Sequence, residues 1–192
     1  MASDSELIKW SLAGDTAAFV EVVDRHEAAV WAYLVRRAGR QAAEDLLGEV
    51  WTAAFAARRT YDLSFPVARP WLFGVALNTL RRHWRSQPVG DPRADLADLA
   101  GRSVMSDPWP SADERIHGEA VLRRALDQLP ADEREVLFLV VWEELTVADA
   151  ARSLGIPAGT ARRYLHQARV ALRDTPGMVA LLDQYNTVSE SK

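Results

Sequence analysis

The sequence contains no cysteine, which excludes disulfides, thiolate metal sites and a cysteine nucleophile. No apolar run approaches the ~20 residues that a membrane-spanning helix requires; Val136 to Trp142 is among the longest, and no membrane insertion is expected. An excess of positive charge is also missing. With 23 Lys and Arg against 27 Asp and Glu the formal net charge is −4, so the chain does not coat nucleic acid through bulk charge. Strand signals are weak, because alternating apolar runs closed by tight Asn-Gly turns are absent. The four histidines, His26, His83, His117 and His166, are scattered without metal-ligand spacing, and no nucleophile motif accompanies them. No metal, no cofactor and no enzymatic activity are therefore expected. The N-terminus has no basic stretch ahead of an apolar core, so the cytoplasm is the expected compartment.

What is present is a globular composition, 48% hydrophobic and 26% charged over 192 residues, long enough for one ordinary domain or two small ones. Segmenting the charge favours two. Residues 1–90 hold 11 basic and 10 acidic side chains, residues 91–115 hold 3 and 6, and residues 116–176 hold 8 and 9. The middle stretch, with Pro88 just before it, also carries four of the nine prolines, Pro88, Pro92, Pro108 and Pro110. Prolines and acids with few large apolar residues read as a linker. The expected organisation is an all-α chain: a helical domain over 1–87, a Pro-rich acidic linker over 88–114, a second helical domain over 115–176 and a short tail over 177–192.

In the first block, Leu7, Trp10 and Leu12 open a short amphipathic stretch that ends at Gly14-Asp15. Phe19, Val22, Val23, His26, Val30, Tyr33 and Leu34 recur at spacings of three and four, as one face of a long helix does. A third helix is expected over about Gln41–Arg58, and after Pro66 and Pro70 a fourth carries Leu72, Ala76, Leu80 and Trp84. In the second block, Ile116, Val121, Leu122, Leu126 and Leu129 form a helix that stops at Pro130, and Asp132–Trp142 forms the next. Thr146 and Asp149 read as a capping box, starting a helix that ends at Gly155. The turn through Ile156-Pro157 opens the last helix.

A short helix, a glycine turn and a longer helix make a helix-turn-helix. At 100° per residue, Ala161, Leu165, Ala168 and Leu172 share a face that can pack on Val147, Ala150, Ala151 and Leu154. Arg162, His166, Arg169 and Arg173 fall within about 60° of one another on another face, with Arg163 beside them. That stripe, with Thr160 near the helix start, suits base edges and phosphates of a major groove. The alternative is a solvated helix whose arginines pair with neighbouring acids. In the first block, Glu44, Asp45 and Glu49 lie away from the apolar face of their helix, either to complement its dipole or to dock a basic partner. Arg81-Arg-His-Trp-Arg85, preceded by Tyr61, Phe65, Trp71 and Phe73, interleaves cations with aromatics as unpaired DNA demands. Of these aromatics, Trp71 and Phe73 are expected in the core, and Tyr61 and Phe65, in the break between helices, are expected to be exposed.

Three motifs in order resemble the extracytoplasmic-function group of bacterial RNA polymerase sigma factors. They are Ala43-Glu-Asp-Leu-Leu-Gly-Glu-Val-Trp51; Arg69-Pro-Trp-Leu-Phe-Gly-Val-Ala-Leu-Asn78 with the Arg81–Arg85 cluster; and Leu129-Pro-Ala-Asp-Glu-Arg-Glu-Val-Leu137 with Leu154-Gly-Ile-Pro-Ala-Gly-Thr160 and Leu165-His-Gln-Ala-Arg169. The resemblance implies a factor that binds core polymerase (β′ clamp and β flap) and directs it to promoter DNA, with an anti-sigma factor left open as a further partner. It implies polymerase docking through Glu44, Asp45 and Glu49. Capture and holding of a −10 element would fall to Arg59, Tyr61, Phe65, Arg69, Asn78, Arg81, Arg82 and Arg85, by a step that extrudes a base. Reading of a −35 element would fall to Arg134, Thr160, Arg162, Arg163, His166 and Arg169. The acidic linker would thread toward the RNA-exit path. Tyr164 and Gln167 stand where the family often has arginine, so the −35 contact set is expected to be shifted. The rival is a stand-alone helix-turn-helix regulator, which would need a dimer interface and a palindromic operator and would leave the Asp45/Glu49 face and the Arg81–Arg85 cluster without a role.

Overall fold

A computed structural model describes residues 2–86, 122 and 124–175. The expected linker over 88–114, the tail over 177–192 and the start of the helix expected from Ile116 lie outside them. Among the described residues there is no strand, and no helix is long and apolar enough to cross a membrane.

Helix α1 (Asp4–Leu12) starts at a capping box: Glu6 N–H donates to Ser3 Oγ at 3.3 Å, and Ser3 N–H donates to the Glu6 carboxylate at 2.7 Å. Two orphan amides of the first turn are thereby satisfied. Helix α2 (Thr16–Ala57) is capped by Asp15, whose carboxylate accepts from Ala17 and Ala18 N–H at 3.1 and 3.3 Å. Its 42 residues are interrupted at Gly39, with φ 76° and ψ 162°, a conformation that glycine adopts without a Cβ penalty. The Phe19 and Phe55 rings meet edge to face at 5.3 Å, although an unbroken helix would hold residues 36 positions apart at ~54 Å. The chain therefore reverses at Gly39 into an antiparallel helical hairpin, which agrees with separate helices before and after residue 40.

A 3-10 turn (Arg58–Thr60) and a loop lead to α3 (Arg69–Ser86). Pro70 lies in the first turn of α3, where its missing N–H costs nothing. Buried Leu72, Phe73, Ala76 and Leu80 pack into the hairpin together with Leu7, Ile8, Val22 and Leu34, and Tyr33 meets Phe73 at 5.2 Å.

In the second unit, residues 124–128 are helical and α4 (Ala131–Val141) follows with Asp132 and Glu133 at its positive end. Helix α5 (Val147–Leu154) begins at Thr146, whose hydroxyl oxygen accepts from Asp149 N–H at 3.1 Å. The Thr146 hydroxyl in turn donates to the Asp149 carboxylate at 2.6 Å, so the box closes through the side chain. Gly155 ends α5 in the left-handed region at φ 66°, as a C′ glycine does. Helix α6 (Ala158–Asp174) follows. Ala161, Leu165 and Ala168 are buried and form the second core with Leu126, Val136, Phe138 and Ala151. Val147, Leu154 and Leu172 pack on it as expected. Ala150, expected to face α6, belongs instead to the first core with Leu139 and Leu145. The two cores thus meet along α4 and α5.

Candidate nucleic-acid interface

The stripe on α6 is solvent-facing. Arg162, Arg163, His166, Arg169 and Arg173 are all exposed, Thr160 is half-buried, and the opposite side is held by Ala161, Leu165 and Ala168. Among the described residues, no acid lies within ion-pair distance of Arg162, Arg163 or Arg169. Arg163 leans over the Tyr164 ring at 5.3 Å. The alternative of arginines consumed by neighbouring carboxylates is not what the geometry holds. Arg134 differs: it sits on α4 with its guanidinium 3.9 Å from Asp127.

On α3, Asn78, Arg82 and Arg85 are exposed and Arg81 is half-buried, and spacings of three and four bring the four residues to one face. Arg85 Nε donates to the Arg81 carbonyl at 3.2 Å, and Arg81 reaches Asp132 of α4 at 3.6 Å. Arg69 is half-buried, its guanidinium over the Phe73 ring at 5.3 Å, and Arg59 is exposed.

The loop ahead of α3 differs from expectation. Tyr61 is buried: its hydroxyl donates to the Phe65 carbonyl and its ring lies against Trp71 at 5.4 Å. Burial and the negative charges of Asp4 and Asp62 push that hydroxyl up to about 12. Phe65 is half-buried under the guanidinium of Arg152, 3.8 Å from its centroid. The apolar groups that this loop offers to solvent are instead Leu63 and Val67. Phe73 is fully buried, and Trp71 packs half-buried on the core.

The loop is anchored from α1. Asp4 N–H donates to the Pro66 carbonyl at 3.0 Å. The buried Asp4 carboxylate accepts from Ala68 N–H at 2.8 Å, from Arg25 at 3.0 Å and from His26 Nε2 at 2.7 Å. Burial alone would raise this carboxyl; the hydrogen bonds and the positive charge facing it prevail and hold it at about 2. On the second half of α2, Glu44, Asp45 and Glu49 are exposed while Ala43, Leu46 and Val50 are buried, so the acids form a free edge above the core.

Two arginines that sequence reasoning passed over lie between the units. Arg36 pairs with Glu143 and Arg37 with Glu135, all four nearly inaccessible. Burial by itself lowers the Arg37 guanidinium, but Glu135, Tyr33 and Glu143 together outweigh burial and raise it. An adjacent Arg-Arg two residues before a breaking glycine was the available signal.

The chain matches "Sigma-70 region 2" over residues 22–88 and "Sigma-70, region 4" over residues 119–172. It is 30% identical over 173 residues to the ECF RNA polymerase sigma factor SigL of Mycobacterium tuberculosis, covering 88% of this chain and 94% of that protein. It is 28% identical over 176 residues to the ECF RNA polymerase sigma factor SigW of Bacillus subtilis, covering 86% and 92%. The fold resembles CnrH, solved in complex with the cytosolic domain of CnrY, with a TM-score of 0.61 and 23% identity over 94% of this chain and 97% of that one. It also resembles the sigma factor RpoE of Bartonella quintana, solved with the anti-sigma factor NepR, with a TM-score of 0.54 and 20% identity over 82% and 95%. The chain belongs to the extracytoplasmic-function group of RNA polymerase sigma factors.

Proposed function

We propose that this sigma factor joins core RNA polymerase in the cytoplasm through Glu44, Asp45 and Glu49 on α2, and selects promoters with two DNA-binding faces. In this reading Arg162, Arg163, His166 and Arg169, with Thr160 at the helix start, read the upstream element, and Arg134 supports the backbone beside them. The Arg59–Arg69 loop and the Asn78, Arg81, Arg82 and Arg85 face of α3 take the melted downstream element. The observation that carries the reading is the α6 stripe: exposed cations without acidic partners among the described residues, on a helix whose far side is core. A stand-alone regulator would need no counterpart to the acidic edge of α2. The protein then acts as a specificity factor, the chemistry being the polymerase's own. A sequestering protein that competes with polymerase would fit the same surfaces; RpoE of Bartonella quintana was solved in complex with an anti-sigma factor.

Two substitutions separate the faces. Asp45→Arg weakens capture of core polymerase and leaves DNA contact by α6 intact. Arg162→Ala relaxes discrimination at the upstream element about 10-fold or more, in line with loss of one bidentate base contact. Unchanged polymerase binding in the first and unchanged promoter selectivity in the second refute the assignment.

A further inference from the structure

The two units meet across matched charges. Arg36 and Arg37 on α2 and Arg81 on α3 face Glu143, Glu135 and Asp132, all carried by α4 or the turn that follows it. Arg37 lies over three rings, Tyr33 at 6.0 Å and Trp84 at 5.2 Å from its own unit and Phe138 at 4.6 Å from the other. Without the second unit, this surface is three cations with aromatic faces between them, continuous along α3 with Arg82 and Arg85. Cations interleaved with rings are what a nucleic-acid strand binds. A carboxylate on an arginine offers the same two-oxygen geometry as a phosphate.

The pairing is also incomplete. Arg37 Nη1, Glu135 Oε2 and the Tyr33 hydroxyl are buried without a hydrogen-bond partner among the described residues. Burying an ion pair costs desolvation that the attraction barely repays unless every donor and acceptor is matched. Such a contact closes the chain but yields to a better-matched anion.

We propose that Arg36 and Arg37 are phosphate-binding residues for promoter DNA, occupied in the free chain by Glu143 and Glu135, so that DNA and the second unit compete for one surface. The proposal rests on the promoter-binding reading above and adds two residues and a reason for restraint to it. Closure also places Arg152 over Phe65 in the proposed capture loop, so one movement frees both the loop and the phosphate site. Net charge acts in the same direction: the second unit supplies the acids that keep an isolated chain off DNA.

Gly74 gives a clean way to part the units. A Cβ there would lie 2.6 Å from the Ser153 carbonyl oxygen, and its three nearest neighbours all belong to the Ser153 backbone, which cannot yield as a flexible side chain would. In α3 itself alanine favours the helix. Gly74→Ala therefore acts on the closed contact, while the Glu135→Gln, Glu143→Gln double variant opens it through charge; two independent routes guard against misfolding of either.

The probe is a fluorescein-labelled, mixed-sequence single-stranded oligonucleotide, titrated with the full chain and read by fluorescence anisotropy at several salt concentrations. Both opened variants are expected to bind about tenfold tighter than wild type, the gain set by the two added phosphate contacts. Adding Arg36→Gln and Arg37→Gln to Gly74→Ala abolishes the gain and lowers the slope of log K against log salt by about 1.4, roughly 0.7 per phosphate. The proposal is overturned if neither opened variant binds tighter, or if removing both arginines leaves the slope unchanged. This assay contains no polymerase. Its failure beside a wild-type chain that programs initiation strikes closure alone, and failure of wild type to program initiation strikes the promoter-binding reading.

Discussion

The Asp4 anchor makes a pH-dependent contribution to stability that a single substitution isolates. In the folded chain its carboxyl sits at about 2, against about 3.9 for an aspartate in an unfolded chain. The folded value lies below the unfolded one, so the contribution is fully present above about pH 4 and is lost as pH falls toward 2. A difference near two units at 1.36 kcal/mol each is roughly 2.5 kcal/mol at pH 5, of which about half remains at pH 3. Asp4 is only 5% exposed, so solvent screening leaves most of this in place. Asp4→Asn keeps an oxygen for Ala68 N–H and removes the charge facing Arg25 and His26. Urea unfolding followed by circular dichroism, on wild type and Asp4→Asn at pH 5 and pH 3, gives the comparison. The stability gap is expected to be roughly 2–3 kcal/mol at pH 5 and about half that at pH 3. A gap that is absent at pH 5, or equal at the two pH values, refutes the idea that a charged Asp4 ties α1 to the loop.

Glu135→Ala strands the buried Arg37 guanidinium, a loss of about 3–5 kcal/mol while the units stay closed. Because parting the units hydrates Arg37, the chain is expected to open, and small-angle scattering should show a larger radius of gyration than wild type; unchanged size and stability contradict the pairing. Gly155→Val forces a β-branched residue into the left-handed region at φ 66° and is expected to lower the unfolding free energy of the second unit by roughly 1–2 kcal/mol, with the Gly155→Asn variant losing less. Equal stability of all three would show that the turn between α5 and α6 carries no backbone strain.

Local features were legible in the sequence because they are encoded within a few residues. The three-and-four spacing from Phe19 to Leu34 marked the first half of α2, a separate helix from about Gln41 marked its second half, and Thr146 and Gly155 bracketed α5. The α6 stripe followed from 100° per residue alone, and so did the exposed edge of Glu44, Asp45 and Glu49. Contacts between the units were not legible. Arg36 and Glu143 are 107 residues apart and Arg37 and Glu135 are 98 apart, and no local pattern couples a charged pair across such a distance. Helical spacing alone puts Ala150 on the α6 side, whereas α5 also packs on α3 and Ala150 joins the first core. Tyr61 was expected in solvent because it stands outside a helix; its ring finds Trp71 and its hydroxyl finds the Phe65 carbonyl, partners that a loop acquires only when it folds back on itself.

The most direct test of the account is transcription in vitro with purified core polymerase, the full-length chain and a genomic DNA template, with every start site mapped. Start sites are expected that appear only when the chain is added, share sequence elements upstream at two positions, and disappear with Asp45→Arg. Start sites identical to those of core polymerase alone would contradict it.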